Sequence, residues 1–338
     1  MMTNQTVVRW GILGAARVNE RLLPAIVGAS NAQLVAIASR RPNAAAEILA
    51  KYAPQLSDVL TLDAPDTLIN NPDIDAVYLP MANEEHTEWA LKAIQQGKHV
   101  LIEKPMALEL TEIEAIEKAS IDHNVKVMEG FMYVFHPQHD AVAQLIDSGV
   151  IGDVRTVRTI FSFPMKPARL YRINRDIEHG GGAMWDIGPY AIHTARKWFT
   201  GEPLAVNALA NLNEHGADVS LSGVLDYGEG RYAQFDMSFE RARRSEYEII
   251  GTLGGIKCET VWNNPDDLPN ISWWTDAGEH HQLAAPAANH FILEVEHFSD
   301  CILNDKPVQL SLTDAKANCN AIQAAIKASQ TGMRVELN

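Results

Sequence analysis

The stretch VVRWGILGAARVNE, residues 7–20, decides the fold. Val7 to Leu13 is an almost continuous apolar run that reads as a strand, Gly14 interrupts it, and a segment of helical character follows. A glycine-bearing turn between a first strand and a helix is where a Rossmann fold receives a cofactor pyrophosphate, because backbone N–H groups and the helix dipole both attract anions there. Set against G-x-G-x-x-G, Gly14 fits the first position, while Ala16 and Asn19 stand in the second and third. On the motif alone a plain strand–turn–helix stays open.

Working outward, QLVAIA (33–38), DAVYLP (75–80), KHVLIE (98–103) and VKVME (125–129) read as further strands. Their near-continuous apolar character fits strands covered on both faces. Between them lie helical segments: NAAAEILAKYA from an N-cap at Asn43, NEEHTEWALKAIQQG closing on Gly97, and TEIEAIEKA with a capping box of Thr111 and Glu114. The alternation predicts a parallel sheet and a Rossmann domain over residues 1–128. After one more helical stretch, QHDAVAQLIDSG, the pattern changes to the longer strands DVRTVRTIFSF, AVNALANLN, ADVSLSGVLDY, RYAQFDMSF and SEYEIIG. Two helices, HFILEVEHFSDCILN and TDAKANCNAIQAAIKASQ, follow. Residues 129–338 therefore read as an α+β domain with a large, mainly antiparallel open sheet.

Composition narrows the function. The chain has 338 residues, and 28 Lys and Arg against 43 Asp and Glu give a net charge of −15, which argues against nucleic acid as a partner. At 46% hydrophobic and 21% charged it is an ordinary globular sequence. No apolar run reaches the roughly 20 residues of a membrane span, and MMTNQTVVRWGIL lacks a basic n-region followed by an apolar stretch, so a cytoplasmic protein is expected. Cys258, Cys301 and Cys319 are too scattered for a disulfide framework or a metal site and read as reduced, partly buried thiols.

Three segments carry candidate chemistry. The second strand ends at Ser39-Arg40-Arg41, where an NAD-preferring fold places an acid for the ribose 2′-hydroxyl. A hydroxyl followed by two guanidinium groups suits a 2′-phosphate instead, so NADP(H) is favoured and NAD(H) is the alternative. Another strand ends in Glu103-Lys104-Pro105, which puts an ammonium group at the carboxyl end of a parallel strand, facing the ligand crevice. Farther on, Gly180-Gly181-Gly182 precedes AMWDIGPYAIHTARKW, in which Asp186, Tyr190 and His193 fall at i, i+4 and i+7. If the stretch is helical, an acid, a phenol and an imidazole share one face; Pro189 restricts the helix start to near Trp185.

With these motifs in view the chain resembles the Gfo/Idh/MocA family of NAD(P)-dependent oxidoreductases. It resembles most the branch holding glucose–fructose oxidoreductase, dimeric dihydrodiol dehydrogenase and NADP-dependent D-xylose 1-dehydrogenase. The likeness runs from RWGILGAARV through AIASRR, YLPMANEEHTEWALKAIQQGKHVLIEKP and EGFMYVFHPQ to RINRDIEHGGGAMWDIGPY, YEIIGTLGGI and HFILEVEHFSD. It implies that Gly14, Ala15 and Ala16 line the pyrophosphate, that Ser39, Arg40 and Arg41 surround the adenosine ribose, and that Leu79, Asn83, His86, Glu103, Lys104 and Pro105 lie at the cofactor. It further implies hydride exchange between nicotinamide and a carbinol carbon of a sugar, cyclitol or related polyol. Tyr190 would be the general acid/base with Lys104 lowering its pKa, or Lys104 itself would transfer the proton; Asp186 would orient the substrate or Lys104. Arg172, Trp185, Tyr190 and His193 would contact substrate, and the C-terminal sheet would form a homodimer or homotetramer. An NAD-dependent glycosidase with a retained cofactor and a non-catalytic NADP-sensing regulator are the alternatives. Ala82, Val134 and His193 depart from common family residues and bear on which substrate is taken.

No metal site is expected. His290, Glu294 and His297 share a helical spacing but do not form His-Glu-x-x-His, and read as surface or interface residues. His136 and His139 read as structural and His280-His281 as a polar loop; Trp273-Trp274 reads as an exposed ligand platform or a strand facing a partner, with the sheet position favouring burial.

Overall fold

The computed structural model of the chain describes residues 6–262 and 268–337, so the opening residues 1–5, read above as lacking a leader, lie outside the described residues. It divides into two compact units, one made of residues 1–135 and 289–316, the other of 136–288 and 317–338. The boundary expected at residue 128 thus falls later, and a segment assigned from sequence to the second domain belongs to the first.

The first unit is built on β1 (Val8–Leu13), β2 (Ala32–Ala38), β3 (Leu60–Leu62), β4 (Ala76–Leu79), β5 (His99–Glu103) and β6 (Val127–Gly130). They pair in the order β3-β2-β1-β4-β5-β6, with every pairing parallel. That is the doubly wound order, whose ligand crevice opens past the strand ends where the direction of winding reverses, here between β1 and β4. The connecting helices are α1 (Asn19–Gly28), α2 (Ala44–Tyr52), α3 (Pro65–Ile69), α4 (His86–Gln95) and α5 (Leu110–Asp122). All four residues of β4 are buried, as a central strand covered on both faces requires. The sequence does not signal β3 because it is a three-residue edge strand with two of its residues exposed. Two caps differ from expectation. Asn43 is left-handed at φ 62 and makes no cap bond, and the capping box before α5 is formed by Glu109 and Glu112, two residues earlier than Thr111 and Glu114.

The second unit opens with α6 (Gln138–Asp147) and carries β7 (Val154–Ser162), the short helix α7 (Ala183–Asp186), α8 (Gly188–Lys197), β8 (Ala205–Leu212), β9 (Asp218–Asp226), β10 (Tyr232–Ser238), β11 (Arg244–Gly251), β12 (Gly254–Glu259), β13 (Asn270–Thr275) and β14 (His280–Leu283). Its nine-stranded sheet is antiparallel except for the β7–β10 pair. His280 and His281 are strand residues of β14 rather than a loop, and Trp273 stacks on His281 at 4.2 Å between ring centroids. His136 and His139 are buried as expected. The strand β15 (Val335–Glu336) closes the sheet beside β8.

Two late helices explain the division of the chain. The helix α9 (His290–Leu303) is capped by Asn289, whose Oδ1 accepts from the Phe291 and Ile292 N–H groups at 3.0 and 3.2 Å. Its face holds Phe291, Val295 and Phe298, and the Trp10 indole of β1 donates to Ser299 at 3.1 Å. Sealing the first sheet therefore draws α9 into the first unit. His290 and Glu294 lie on that buried face, which corrects their reading as surface residues. The last helix, α10 (Leu312–Thr331), starts in the first unit and continues in the second. All three cysteines are buried.

Candidate functional site

In the first unit, the candidate residues cluster past the carboxyl ends of β1, β2, β4 and β5. Gly14 follows β1 at φ +130, a conformation that L side chains rarely adopt, and its amide donates to the Ala38 carbonyl at the end of β2 at 2.8 Å. A Cβ at Gly14 would meet the nearest atoms, of Met81 and Pro80, only at 3.5 and 3.7 Å, so backbone conformation rather than space selects glycine. Asn19, which stands at the third fingerprint position, is fully buried at the start of α1, and its Nδ2 donates to the Gly14 carbonyl at 2.8 Å. It ties the turn shut with a side-chain bond where the fingerprint uses a bare glycine, and its buried Oδ1 has no hydrogen-bond partner.

The Ser39-Arg40-Arg41 segment lies beside this turn. Ser39 is buried and accepts from the Arg41 amide at 3.2 Å, while the Arg41 Nη2 donates to the Ala15 carbonyl at 2.6 Å. A guanidinium group is thus held on the rim of the glycine turn. The exposed Arg40 instead pairs with Glu85, on the turn after β4, at 2.5 Å. A glycine turn opening a ten-residue helix, with a hydroxyl and two guanidinium groups at the next strand end, fits a dinucleotide carrying a 2′-phosphate.

Leu79 is buried at the end of β4, and Asn83 lies on the turn that follows. His86 opens α4 fully buried, with Nδ1 2.8 Å from the Pro105 carbonyl and Nε2 3.1 Å from the Met81 carbonyl. Burial pushes its imidazole below the ordinary value, against the pull of those two carbonyls. Both ring nitrogens face backbone carbonyls within the unit, and a neutral ring donates to one of them through its single N–H. Glu103 accepts from the Tyr78 hydroxyl at 2.5 Å, and Lys104, half-buried, precedes a cis bond to Pro105. Glu294 on α9, buried with its Oε1 lacking a hydrogen-bond partner, is held well above the usual carboxylate range by burial and by the charge of Glu103.

In the second unit, Asp186 is the last residue of α7, and a break at Ile187 precedes α8, which carries Tyr190 and His193 with Pro189 in its first turn. The three residues therefore do not share one continuous helical face. One Arg172 guanidinium nitrogen reaches both Asp186 oxygens at 2.5 Å. The Asp186 carboxylate in turn holds that guanidinium charged, above its ordinary value. Tyr190, 9% exposed, is set by Phe161 of β7 at 5.9 Å and Trp262 at 6.5 Å between ring centroids. Trp185 and His193 are buried at 4% and 5% exposure.

A residue that the sequence reading passed over organises this segment. Asp218, fully buried at the start of β9, accepts from the Met184 amide at 2.8 Å, and the Ala183 amide also faces it. Burial pushes its carboxyl up to about 7 against the pull of those N–H groups. Gly182, at φ +103, brings α7 so near that a Cβ there would sit 2.1 Å from the Asp218 Oδ1. Gly182 thus seats α7 on Asp218, while Gly181 lies tight against the Arg175 carbonyl and Gly180 is left-handed at φ 78. Among the described residues no group of three His, Cys, Asp or Glu could hold a metal ion, and no helix is long and apolar enough to cross a membrane.

Comparison with known proteins places the chain. Residues 8–131 match the oxidoreductase family with an NAD-binding Rossmann fold, and residues 139–257 match the Gfo/Idh/MocA C-terminal domain. An uncharacterized oxidoreductase of Rhizobium meliloti is 32% identical over 335 residues, covering 96% of this chain and 98% of that protein. D-xylose 1-dehydrogenase (NADP+) 2 of Haloferax volcanii is 30% identical, covering 97% and 99%. Among solved structures, the 3-ketoreductase KijD10 of Actinomadura kijaniata in complex with NADP and TDP-benzene superposes with a TM-score of 0.88 at 28% identity, covering 95% of this chain and 98% of that one.

Proposed function

The chain belongs to the Gfo/Idh/MocA family of oxidoreductases, and on that premise we propose that it is an NADP(H)-dependent dehydrogenase or reductase acting on a CH–OH carbon of a sugar, cyclitol or related polyol. The observation that carries the cofactor choice is the Ser39-Arg40-Arg41 strand end, with the Arg41 guanidinium on the Ala15 carbonyl. NADP in the KijD10 structure and in the name of the xylose dehydrogenase supports the same reading. When bound, the nicotinamide accepts or gives the hydride.

The chain's residues do the rest. Ala15 and Ala16 offer backbone N–H groups to the pyrophosphate, on a turn that Gly14 shapes with its own amide held by Ala38; Ser39, Arg40 and Arg41 hold the ribose phosphate; Leu79, Asn83, Glu103 and Pro105 shape the neighbouring wall. Lys104 and Tyr190 handle the proton and the charge on the carbinol oxygen, with Tyr190 the first choice of acid/base. Arg172, Asp186, Trp185 and His193 define what substrate is accepted, Trp185 and His193 through packing because both are buried. A homodimer or homotetramer through the nine-stranded sheet belongs to the same proposal, supported by the exposed Leu209 and Tyr232 on its strands and tested by light scattering.

The central test is a panel of aldoses, polyols and dicarbonyls assayed at the nicotinamide absorbance band with NADPH, NADH and their oxidised forms. Turnover with the phosphorylated cofactor is expected; NADPH binding with no absorbance change across the panel overturns the proposal. Lys104→Met and Tyr190→Phe should each keep cofactor binding and lower kcat by on the order of 10² to 10⁴.

A further inference from the structure

The peptide that follows Lys104 and Pro105 is held at both ends. Pro105 has no N–H, so the first backbone donor past Lys104 is that of Met106. The Pro105 carbonyl and the Met106 N–H belong to one peptide unit, and buried side chains take both ends. Glu129 Oε1 accepts from the Met106 N–H at 2.7 Å, and His86 Nδ1 stands 2.8 Å from the Pro105 oxygen. His86 is 0% exposed and Glu129 4%. A neutral imidazole carries a single N–H, and the shorter of the two His86 contacts assigns it to Nδ1, donating to Pro105.

The two side chains come from different elements. His86 opens α4, and its Nε2 lies 3.1 Å from the Met81 carbonyl just past β4. Glu129 belongs to β6, which pairs with β5 so that Ile102 faces Glu129 and Glu103 faces Gly130. On the other side of Lys104, Glu103 is bonded by Tyr78 of β4. Backbone groups removed from water need partners, but a turn ordinarily finds them in other backbone or in solvent. Here a carboxylate and an imidazole, both expensive to bury, are committed to one peptide bond.

We propose that His86 and Glu129 are positioning residues, which grip the Pro105–Met106 peptide and thereby fix the direction in which Lys104 is presented. The inference rests on the reading of Lys104 as a group that handles the proton or polarises the oxygen. A displacement of about 1 Å in a catalytic group lowers rate by up to 10²-fold, so loss of either grip should appear in kcat rather than in binding.

The test uses the full chain with Glu129→Leu, which removes the acceptor, and Glu129→Gln, which keeps an oxygen in its place; His86→Gln is a second, polar variant. Amide hydrogen exchange read by mass spectrometry should accelerate at residues 104–108 in Glu129→Leu by about tenfold or more, with residues 99–103 unchanged, and stay near wild type in Glu129→Gln. With a substrate from the panel, Glu129→Leu should lower kcat by about 10- to 100-fold at nearly constant cofactor affinity. In a Lys104→Met background the same substitution should add less than about threefold, because the group it positions is gone. Unchanged exchange at 104–108, or an equal loss of kcat with and without Lys104, overturns the grip. Full turnover by Lys104→Met overturns the role of Lys104 itself, and the exchange result then still decides whether the peptide is held.

Discussion

Replacing Arg41 by alanine tests the cofactor reading at its most specific point. The Arg41 guanidinium is held on the rim of the glycine turn by the Ala15 carbonyl at 2.6 Å, and its amide by Ser39 at 3.2 Å. A charge-assisted hydrogen bond from this group to a 2′-phosphate is worth about 1.5–3 kcal/mol, or roughly 10- to 100-fold in Kd. NADH lacks that phosphate, so its affinity should change by less than about threefold, the remainder reflecting the lost bond to Ala15. Arg40 supplies an internal control of opposite sign. It is paired with Glu85 at 2.5 Å but its side chain is 58% exposed, and such surface pairs contribute about 0–1 kcal/mol. Glu85→Gln should therefore release Arg40 and tighten NADPH by at most about fivefold. Titration of each variant with NADPH and NADH, followed by cofactor fluorescence at two ionic strengths, reads both effects; the Arg41→Ala loss should shrink as salt rises. Equal weakening of NADH and NADPH by Arg41→Ala would refute the phosphate assignment and leave Arg41 as a brace for the turn.

The other predictions concern the second unit. Gly182→Ala places a Cβ 2.1 Å from the Asp218 carboxylate at φ +103, so it should destabilise the protein by about 1–3 kcal/mol; a melting temperature within a degree of wild type would contradict this seating of α7. The Asp218 carboxyl, pushed up from 3.8 to about 7, binds a proton in the folded state that the unfolded chain has already lost over that range. Stability should therefore fall as pH rises from about 4 to 7, by at most about 4 kcal/mol, and Asp218→Asn should flatten the decline in denaturant unfolding. Arg172→Met leaves the Asp186 carboxylate without its guanidinium, and kcat/KM should drop by about tenfold or more while NADPH affinity is kept.

How much of this is legible in the sequence depends on whether a residue's role is local. The strands β1, β2, β4 and β5 are apolar along most of their length because both faces are covered, and that signal needs no tertiary information. The strand end at Ser39-Arg40-Arg41 is equally local, since a parallel sheet sends every carboxyl end to the same side. What fails is everything decided at a distance. Thr111 and Glu114 satisfy the capping pattern, yet the chain starts α5 at Glu109 and Glu112, where the exit from the Lys104 loop fixes the helix. His86 carries a family motif and reads as a cofactor contact, but its partners are carbonyls five and nineteen residues away. Asp218 and Glu129 raise no signal alone, because each is defined by an N–H that another segment supplies. The same holds for α9: its spacing of His290, Glu294 and His297 looks polar in one dimension, and only the Trp10–Ser299 bond shows why that face turns inward.

The same distinction bears on the assignment of acid and base. The i, i+4, i+7 spacing suggests one helix face shared by Asp186, Tyr190 and His193, but the chain breaks at Ile187 and the acid pairs with Arg172. Both Asp186 oxygens are taken up by a single Arg172 nitrogen, so their negative charge is balanced within the unit before any substrate arrives. A carboxylate so committed serves poorly as a proton acceptor and well as a strut, since an adjacent cation stabilises its charged form. Tyr190 is different in kind. Its ring packs against Phe161 and Trp262. With Asp186 already paired to Arg172, Tyr190 is the residue proposed for proton transfer in this unit. Within the second unit this favours Tyr190 over Asp186 for proton transfer. It also predicts that Asp186→Asn, which keeps the shape but not the charge, will disturb Arg172 and substrate affinity more than the pH dependence of kcat.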